Sequence, residues 1–407
     1  MSTDAIAPLI YPSASGAILA ARRPRILVIL PYPPNPLRPR TASMLNDLST
    51  FGDVDLIYLD HGEGVKLPSG VDTHRVAVIP NRQMGRLFRL AAGCLTGKPF
   101  VYQFYHSRAL IRHLKSLDLS VYNAVYVERL PLHELPINHP NVIFDPVDCC
   151  TQQVRQCASR WPGPRRFLYK LDSLRIAKYE AKLCNRATKL ICTAEREADG
   201  FKSIGVLRPI LVVLHSSNAV EFTKHKIEDR PKKVLSFHGK LSYVANKLAL
   251  KKISQAVFPK LDVNSYEVQV AGIGSKKLIT RHPRIKFVGF VEDIVARIRS
   301  VDLSIFPIEI SAGVSNKVLE SLAAGVPSII TPQVAAGLPK IDKLLERGIY
   351  VRGIAEFAGT IHDYFSIPIG IRQKISDECV DYARDLYNPE ARRALLREYV
   401  LSDAVAP

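Results

Sequence analysis

Residues 306–331 read FPIEISAGVSNKVLESLAAGVPSIIT. An apolar run ends at Phe306 and Pro307, the small residues SAGVS make a loop, a helical pattern covers 316–324, and Gly325, Val326 and Pro327 return the chain to a second apolar run. Two parallel strands need a crossover, and a helix is the usual one, so this stretch predicts a unit of a parallel sheet. The alternation extends outward. Apolar runs of buried-strand length recur at 234–237, 267–271, 285–288 and 303–306, and before them at 25–30 (RILVIL), 54–59, 124–127, 142–144, 189–192 and 210–214. Helical patterns at 41–50, 107–116 and 167–185 separate several of the earlier runs. The expected fold class is therefore α/β, with two Rossmann-like doubly wound domains.

A charged stretch without apolar period, EFTKHKIEDRPKK at 221–233, reads as the linker between them. The expected domains are 1–220 and 234–374, followed by an amphipathic helical segment, 375–407, broken near Asn388 and Pro389 and expected to pack back on the first domain. Two such domains enclose a cleft between the carboxyl edges of their sheets, where ligands of open parallel sheets bind.

The 407 residues suit two domains, and 47% hydrophobic with 23% charged residues is a globular balance. No unbroken apolar run approaches the ~20 residues of a membrane span. Asp4, Pro8 and Pro12 argue against a secretory signal, and seven cysteines without a Cys-x-x-Cys pair suggest neither a disulfide framework nor a zinc site. The expected location is a reducing cytoplasm. The formal net charge of +18 predicts an anionic partner: nucleic acid, a membrane surface or a phosphorylated substrate.

The 306–331 stretch places the backbone N–H groups of Gly313, Val314 and Ser315 at the start of a helix that opens at Asn316, which is an arrangement that binds diphosphate. Glu320 lies one turn inside, within reach of a ribose diol. An ordinary strand–turn–helix with Glu320 on a solvated face is the competing reading. Upstream, VLSFHGKL ends a strand at Gly239 and delivers Lys240 to the same edge, with Asn246 and Lys247 beginning the next helix. Two ammonium groups there would neutralise a leaving diphosphate without a metal. Gly272 and Gly274 end another strand, without the third glycine of a dinucleotide fingerprint.

In the first half, Asp145 and Asp148 close a strand and are candidates to orient an acceptor hydroxyl, with turn capping as the alternative. His106 is a candidate acceptor residue, and Arg40 a candidate phosphate contact if it faces the cleft. Asp53-Val54-Asp55 has the look of a metal-binding Asp-x-Asp, but begins an ordinary strand run, where edge acids are usual. Residues 81–117 interleave arginine and lysine with Phe and Tyr, which fits an anionic membrane interface, a lipid-linked acceptor, nucleic acid or a solvated basic face.

On the residues from Gly239-Lys240 through Gly272, Gly274 and Gly289 to 313–327, the second half resembles the nucleotide-sugar-binding domain of family 4 glycosyltransferases. The first half, with RILVILPYPPNPLRPR, FDPVDCCTQQV and KYEAKLCNRATKLICTAERE, is similar to a branch of sugar transferases associated with exopolysaccharide clusters. The resemblance implies the GT-B fold, retention of anomeric configuration, no metal cofactor, and a nucleotide-diphosphate sugar as co-substrate. It implies that Glu320 binds the ribose, while Lys240 and the 313–315 backbone bind the diphosphate. The family pattern is Glu, seven residues, Glu, and this chain has Ala312 at the first position, so the donor sugar needs another partner there.

The expected donor set is Arg40, Gly239, Lys240, Asn246, Gly272, Gly274, Ala312, Gly313, Val314, Ser315, Asn316 and Glu320. The expected catalytic residues are Lys240, Lys247 and Asp148, and the expected acceptor residues His106 and Asp145. The expected acceptor is a glycan, lipid-linked or small-molecule hydroxyl. An anionic membrane surface at the inner face is a candidate partner, and nucleic acid is not expected. The alternatives are a nucleotide-sugar epimerase of the same fold and a non-catalytic polyanion-binding protein.

Overall fold

The computed structural model describes residues 23–34, 39–61, 73–80, 99, 102, 106–160, 164–214, 222, 224–274, 285–311 and 313–402. They form two parallel sheets. The first contains β1 (Arg25–Leu30), β2 (Asp53–Asp60), β3 (Arg75–Pro80), β4 (Ala124–Glu128), β5 (Val142–Val147), β6 (Lys189–Cys192) and β7 (Ile210–Val212), in the order β3-β2-β1-β4-β5-β6-β7. The second contains β8 (Lys233–His238), β9 (Tyr266–Ala271), β10 (Ile285–Gly289), β11 (Leu303–Phe306), β12 (Ser328–Ile330) and β13 (Ile349–Val351), in the order β10-β9-β8-β11-β12-β13.

Central strands such as β4 and β11 are buried along their whole length, which is why they read as continuous apolar runs. The sequence reading passed over β3 and β13. Both are edge strands: β3 exposes Val76 and Val78, and β13 is only three residues long. In each sheet the strand order reverses at one place, between β1 and β4 and between β8 and β11. A crevice opens there at the carboxyl ends of the strands.

The C-terminal segment divides differently from the 374/375 boundary expected above. The helix Ile369–Leu386 runs across that point and buries Ile375, Cys379, Tyr382 and Ala383 in the second domain's core. Only the helix Pro389–Leu401 crosses to the first domain, where Leu396 and Val400 join Met44, Leu45 and Leu48. Asp47, fully buried, pairs there with Arg392 at 2.6 Å and Arg393 at 3.2 Å. The apolar face on either side of Asn388 belongs to two different cores, which a single amphipathic pattern does not reveal.

Candidate active site

The crevice of the second sheet is built by the carboxyl ends of β8 and β11 and by the helix Asn316–Ala323. At its N-terminus the N–H groups of Val318 and Leu319 both reach Ser315 O, at 3.1 and 3.3 Å. Those of Val314, Ser315, Asn316 and Lys317 meet no acceptor among the described residues. The Asn316 Oδ1 atom is buried and also lacks a partner. These groups leave a patch of positive potential pointing out of the helix.

Lys317, which the sequence reading missed, supplies the ammonium group at this patch. Its side chain lies over Gly239: a Cβ on that glycine would stand 2.5 Å from Lys317 Cε and 3.2 Å from Nζ. Gly239 has φ +136, a conformation that L side chains rarely adopt, so the residue is glycine for two reasons at once. Burial pushes the Lys317 ammonium below the usual lysine range, with Glu320 pulling the other way. Among the described residues the Lys317 ammonium has no hydrogen-bonded or ion-paired partner. The available signal was its spacing, three residues before Glu320 and hence on the same helix face.

Glu320 is half-buried and is oriented by His238, the last residue of β8, whose Nε2 lies 3.0 Å from Glu320 Oε2. His238 is 3% exposed, stands edge-on to Phe306 and leaves its Nδ1 buried without a partner. With no donor or acceptor at Nδ1, the arrangement favours the Nε2–H tautomer, which donates to the carboxylate.

Lys240 and Lys247 are exposed, and neither side chain has a hydrogen-bond partner among the described residues. Asn246 is buried and clips the turn by donating from Nδ2 to Lys240 O at 2.8 Å. Gly272 and Gly274 pack against the turn after β8: a Cβ on Gly272 would fall 1.9 Å from Gly239 O, and one on Gly274 2.4 Å from Leu241 Cβ. The Gly313 N–H is not free, because it donates to Glu197 Oε1 at 2.8 Å. Ala312 and most of the basic, aromatic segment at 81–105 lie outside the described residues. The described part of the 81–117 segment includes Tyr102, which is buried in the first domain's core, and an amphipathic helix, Arg108–Lys115, which buries Leu110 and Leu114 and turns Arg108, Arg112 and Lys115 to solvent.

The first domain faces this patch with the ends of β4 and β5. Arg40 does not reach the cleft: it is 6% exposed and donates from Nε and Nη2 to Asp145 Oδ2 at 3.0 and 2.7 Å. Asp145 is fully buried and also accepts from Tyr126 and from Val147 N, so neither member of the pair is available to substrate. Beside them Glu128 accepts from Tyr32 and Thr41, and burial pushes its carboxyl above the usual range.

Asp148 remains half-exposed, held by Arg129 Nη2 at 3.0 Å. Arg129 and Val147 both have positive φ, 51° and 69°, so strained backbone presents this pair at the strand ends. Asp148 stands directly on the loop of the other domain, since a Cβ on Gly313 would lie 2.3 Å from its Oδ1. His106 pairs through Nδ1 with Glu134 Oε2 at 2.7 Å and is part-exposed. Asp53 and Asp55 lie at the opposite, amino edge of the sheet, where Asp55 accepts from Arg25 and Tyr122. Among the described residues no group of three or more His, Cys, Asp or Glu could hold a metal ion. The Cys149 and Cys150 thiols are not poised nucleophiles, because burial pushes both up, that of Cys150 to about 12.

Residues 232–366, the greater part of the second domain, match the family model described as glycosyl transferases group 1. No curated protein matches the chain. Among solved structures, OtsA in its apo form is similar with a TM-score of 0.61 at 10% identity, covering 94% of this chain and 100% of that one. HepE from Anabaena, in complex with UDP, gives 0.61 at 12%, covering 92% and 98%. WaaG, described as a glycosyltransferase involved in lipopolysaccharide biosynthesis, gives 0.57 at 13%, covering 91% and 99%. The fold is GT-B, as in these solved structures. Among the described residues no helix is long and apolar enough to cross a membrane.

Proposed function

We propose that the protein is a retaining, metal-independent glycosyltransferase that moves a sugar from a nucleotide diphosphate to a hydroxyl acceptor. The observation that carries this reading is the unpartnered Lys317 ammonium beside the open helix N-terminus, with Glu320 one turn further on. A group with two phosphates fits the cationic end, and the diol of a ribose fits the carboxylate that His238 holds. As the bond between the anomeric carbon and the phosphate oxygen breaks, its electron pair passes to the diphosphate. Lys317 and the amides of residues 314–317 stabilise the charge that develops there. The acceptor oxygen attacks the anomeric carbon from the same face, and its proton passes to the departing phosphate oxygen. Asp148, standing over Gly313, orients a substrate hydroxyl.

HepE was crystallised with UDP and with UDP-glucose, which makes uridine nucleotides the first probes for this chain. Thermal unfolding with UDP, GDP, ADP and dTDP tests the reading: a nucleotide at a hundred times its dissociation constant stabilises the fold by about 2.7 kcal/mol. Stabilisation by none of them, or by their sugar conjugates, overturns it. Glu320→Ala removes the ribose acceptor and is expected to weaken the preferred nucleotide by about 1–3 kcal/mol, measured by calorimetry. Normal binding by the variant would remove Glu320 from the site.

Once a donor and acceptor are known, turnover is expected to persist in EDTA, because the proposed charge stabilisers are an ammonium and backbone dipoles. Loss of turnover in EDTA that Mg²⁺ or Mn²⁺ restores would refute metal independence.

A further inference from the structure

The loop that opens the nucleotide-binding helix is held by the other domain. Arg196, in the helix Glu195–Ser203 of the first domain, donates from Nη2 to Ser311 O at 3.2 Å and to Gly313 O at 3.1 Å, and from Nη1 to Gln333 O at 2.9 Å. Its neighbour Glu197, fully buried, accepts from Gly313 N at 2.8 Å through Oε1 and from Cys149 N at 2.6 Å through Oε2. Gln156 Oε1 accepts from Ser311 N at 3.1 Å. The loop is also tightly backed, since a Cβ on Gly337 would lie 2.1 Å from Gly313 O. Both polar groups of the Gly313 backbone, and both of Ser311, are therefore satisfied across the domain boundary.

The geometry points to Arg196 and Glu197 as an interdomain latch and as positioning residues for the nucleotide site. When the domains separate, Glu197 keeps Cys149 N and the Arg196 guanidinium, at 3.3 Å, but loses the Gly313 N–H, the guanidinium loses three carbonyls at the same time, and the loop loses the contacts that fix its path. The latch also divides the loop's amides: Glu197 holds that of Gly313, which leaves those of Val314 to Lys317 turned toward the ligand. The amide of Gly313 thus reports whether the two domains are together, and the ligand site is shaped only when they are. Neither latch residue touches the proposed ligand. The consequence for nucleotide binding rests on the glycosyl-transfer reading, whereas the latch stands without it.

Amide hydrogen exchange on the unliganded full chain separates the two. In Arg196→Ala the amides of Ser311 and Gly313 are expected to exchange at least tenfold faster, and the radius of gyration from X-ray scattering to increase. UDP, or whichever of the four nucleotides binds best, should then bind at least tenfold more weakly. Arg196→Lys keeps the charge without the fork and should fall between wild type and alanine. A purely structural role for Arg196 would speed exchange in its own helix and leave the loop and the nucleotide affinity unchanged. Wild-type exchange at residues 311 and 313 together with an unchanged radius in folded Arg196→Ala overturns the latch. If that variant does not fold, Arg196→Lys and Gln156→Ala decide by the same exchange measurement. If no nucleotide binds the wild type, the functional reading fails and the exchange result still decides the latch.

Discussion

Lys317→Met is expected to abolish most of the nucleotide affinity while leaving the fold at least as stable as the wild type. The two effects have opposite signs because Lys317 is a desolvated ammonium with no partner among the described residues in the unliganded protein. Holding such a charge costs folding free energy. Methionine keeps the length and apolar stem and removes that cost, so unfolding in urea should show a gain of about 0.5–2 kcal/mol. A charge-assisted bond to phosphate is worth about 1.5–3 kcal/mol, so the nucleotide should bind more weakly by that amount. Because negative charge grows on the diphosphate as the glycosidic bond breaks, turnover should fall by about 10²-fold or more. A variant that is stabilised and binds nucleotide normally would show that the ammonium serves something other than phosphate. Lys240→Ala, at an exposed position, is the control and should have the smaller effect.

The same residue predicts a pH dependence. In the folded, unliganded protein its pKa lies below that of the unfolded chain, so between the two values the unfolded state binds more protons and stability rises with pH. A bound diphosphate favours the charged form and raises the pKa again. Binding therefore takes up a proton between those two pKa values, and nucleotide affinity should fall as pH rises through that window. Calorimetry in buffers of different ionisation enthalpy measures the uptake directly, and Lys317→Met should lack this contribution.

The central strands of both sheets were legible because residues buried on both sides of a sheet must be apolar, and runs such as RILVIL can be little else, whereas the edge strands β3 and β13 were not. The helix Asn316–Ala323 and the open N–H groups before it were legible because a helix N-terminus has a local signature. What decides the chemistry inside the crevice is not local. Lys240 looked like the phosphate ligand because it follows a strand end, yet it is Lys317, 77 residues later, that lies over Gly239. No spacing in the chain records that contact. Gly272 and Gly274 resembled a nucleotide loop because glycine is required there, but the requirement comes from the backbone of residues 239–241. The TAERE sequence gave no sign that Arg196 and Glu197 would grip a loop more than 100 residues away. Arg40 looked like a cleft residue because it follows the proline loop, but the helix Pro39–Phe51 turns it inward onto Asp145.

That inward turn makes the Arg40–Asp145 pair the most sensitive point of the first domain. Asp145→Ala leaves the Arg40 guanidinium buried with Val213 O as its one remaining acceptor among the described residues, and it also strips Tyr126 and the Val147 N–H of theirs. Removing one partner of a buried ion pair typically costs about 3–5 kcal/mol, which is a large part of the ~5–15 kcal/mol that holds a domain folded. The same bonds carry the strained turn at Val147 and with it the position of Asp148 over Gly313, so disorder should spread from the core to the cleft. Arg40→Leu with Asp145→Leu replaces both charges by apolar volume and should recover most of the lost stability, because no charge is then left uncompensated. The double variant would still lack the Asp145 acceptor for Val147, so it should fold without regaining wild-type turnover. Urea unfolding of the two single variants and the double variant forms the cycle. Single variants that each lose less than about 1 kcal/mol would show that the pair is solvated in solution and does not fix the turn that carries Asp148.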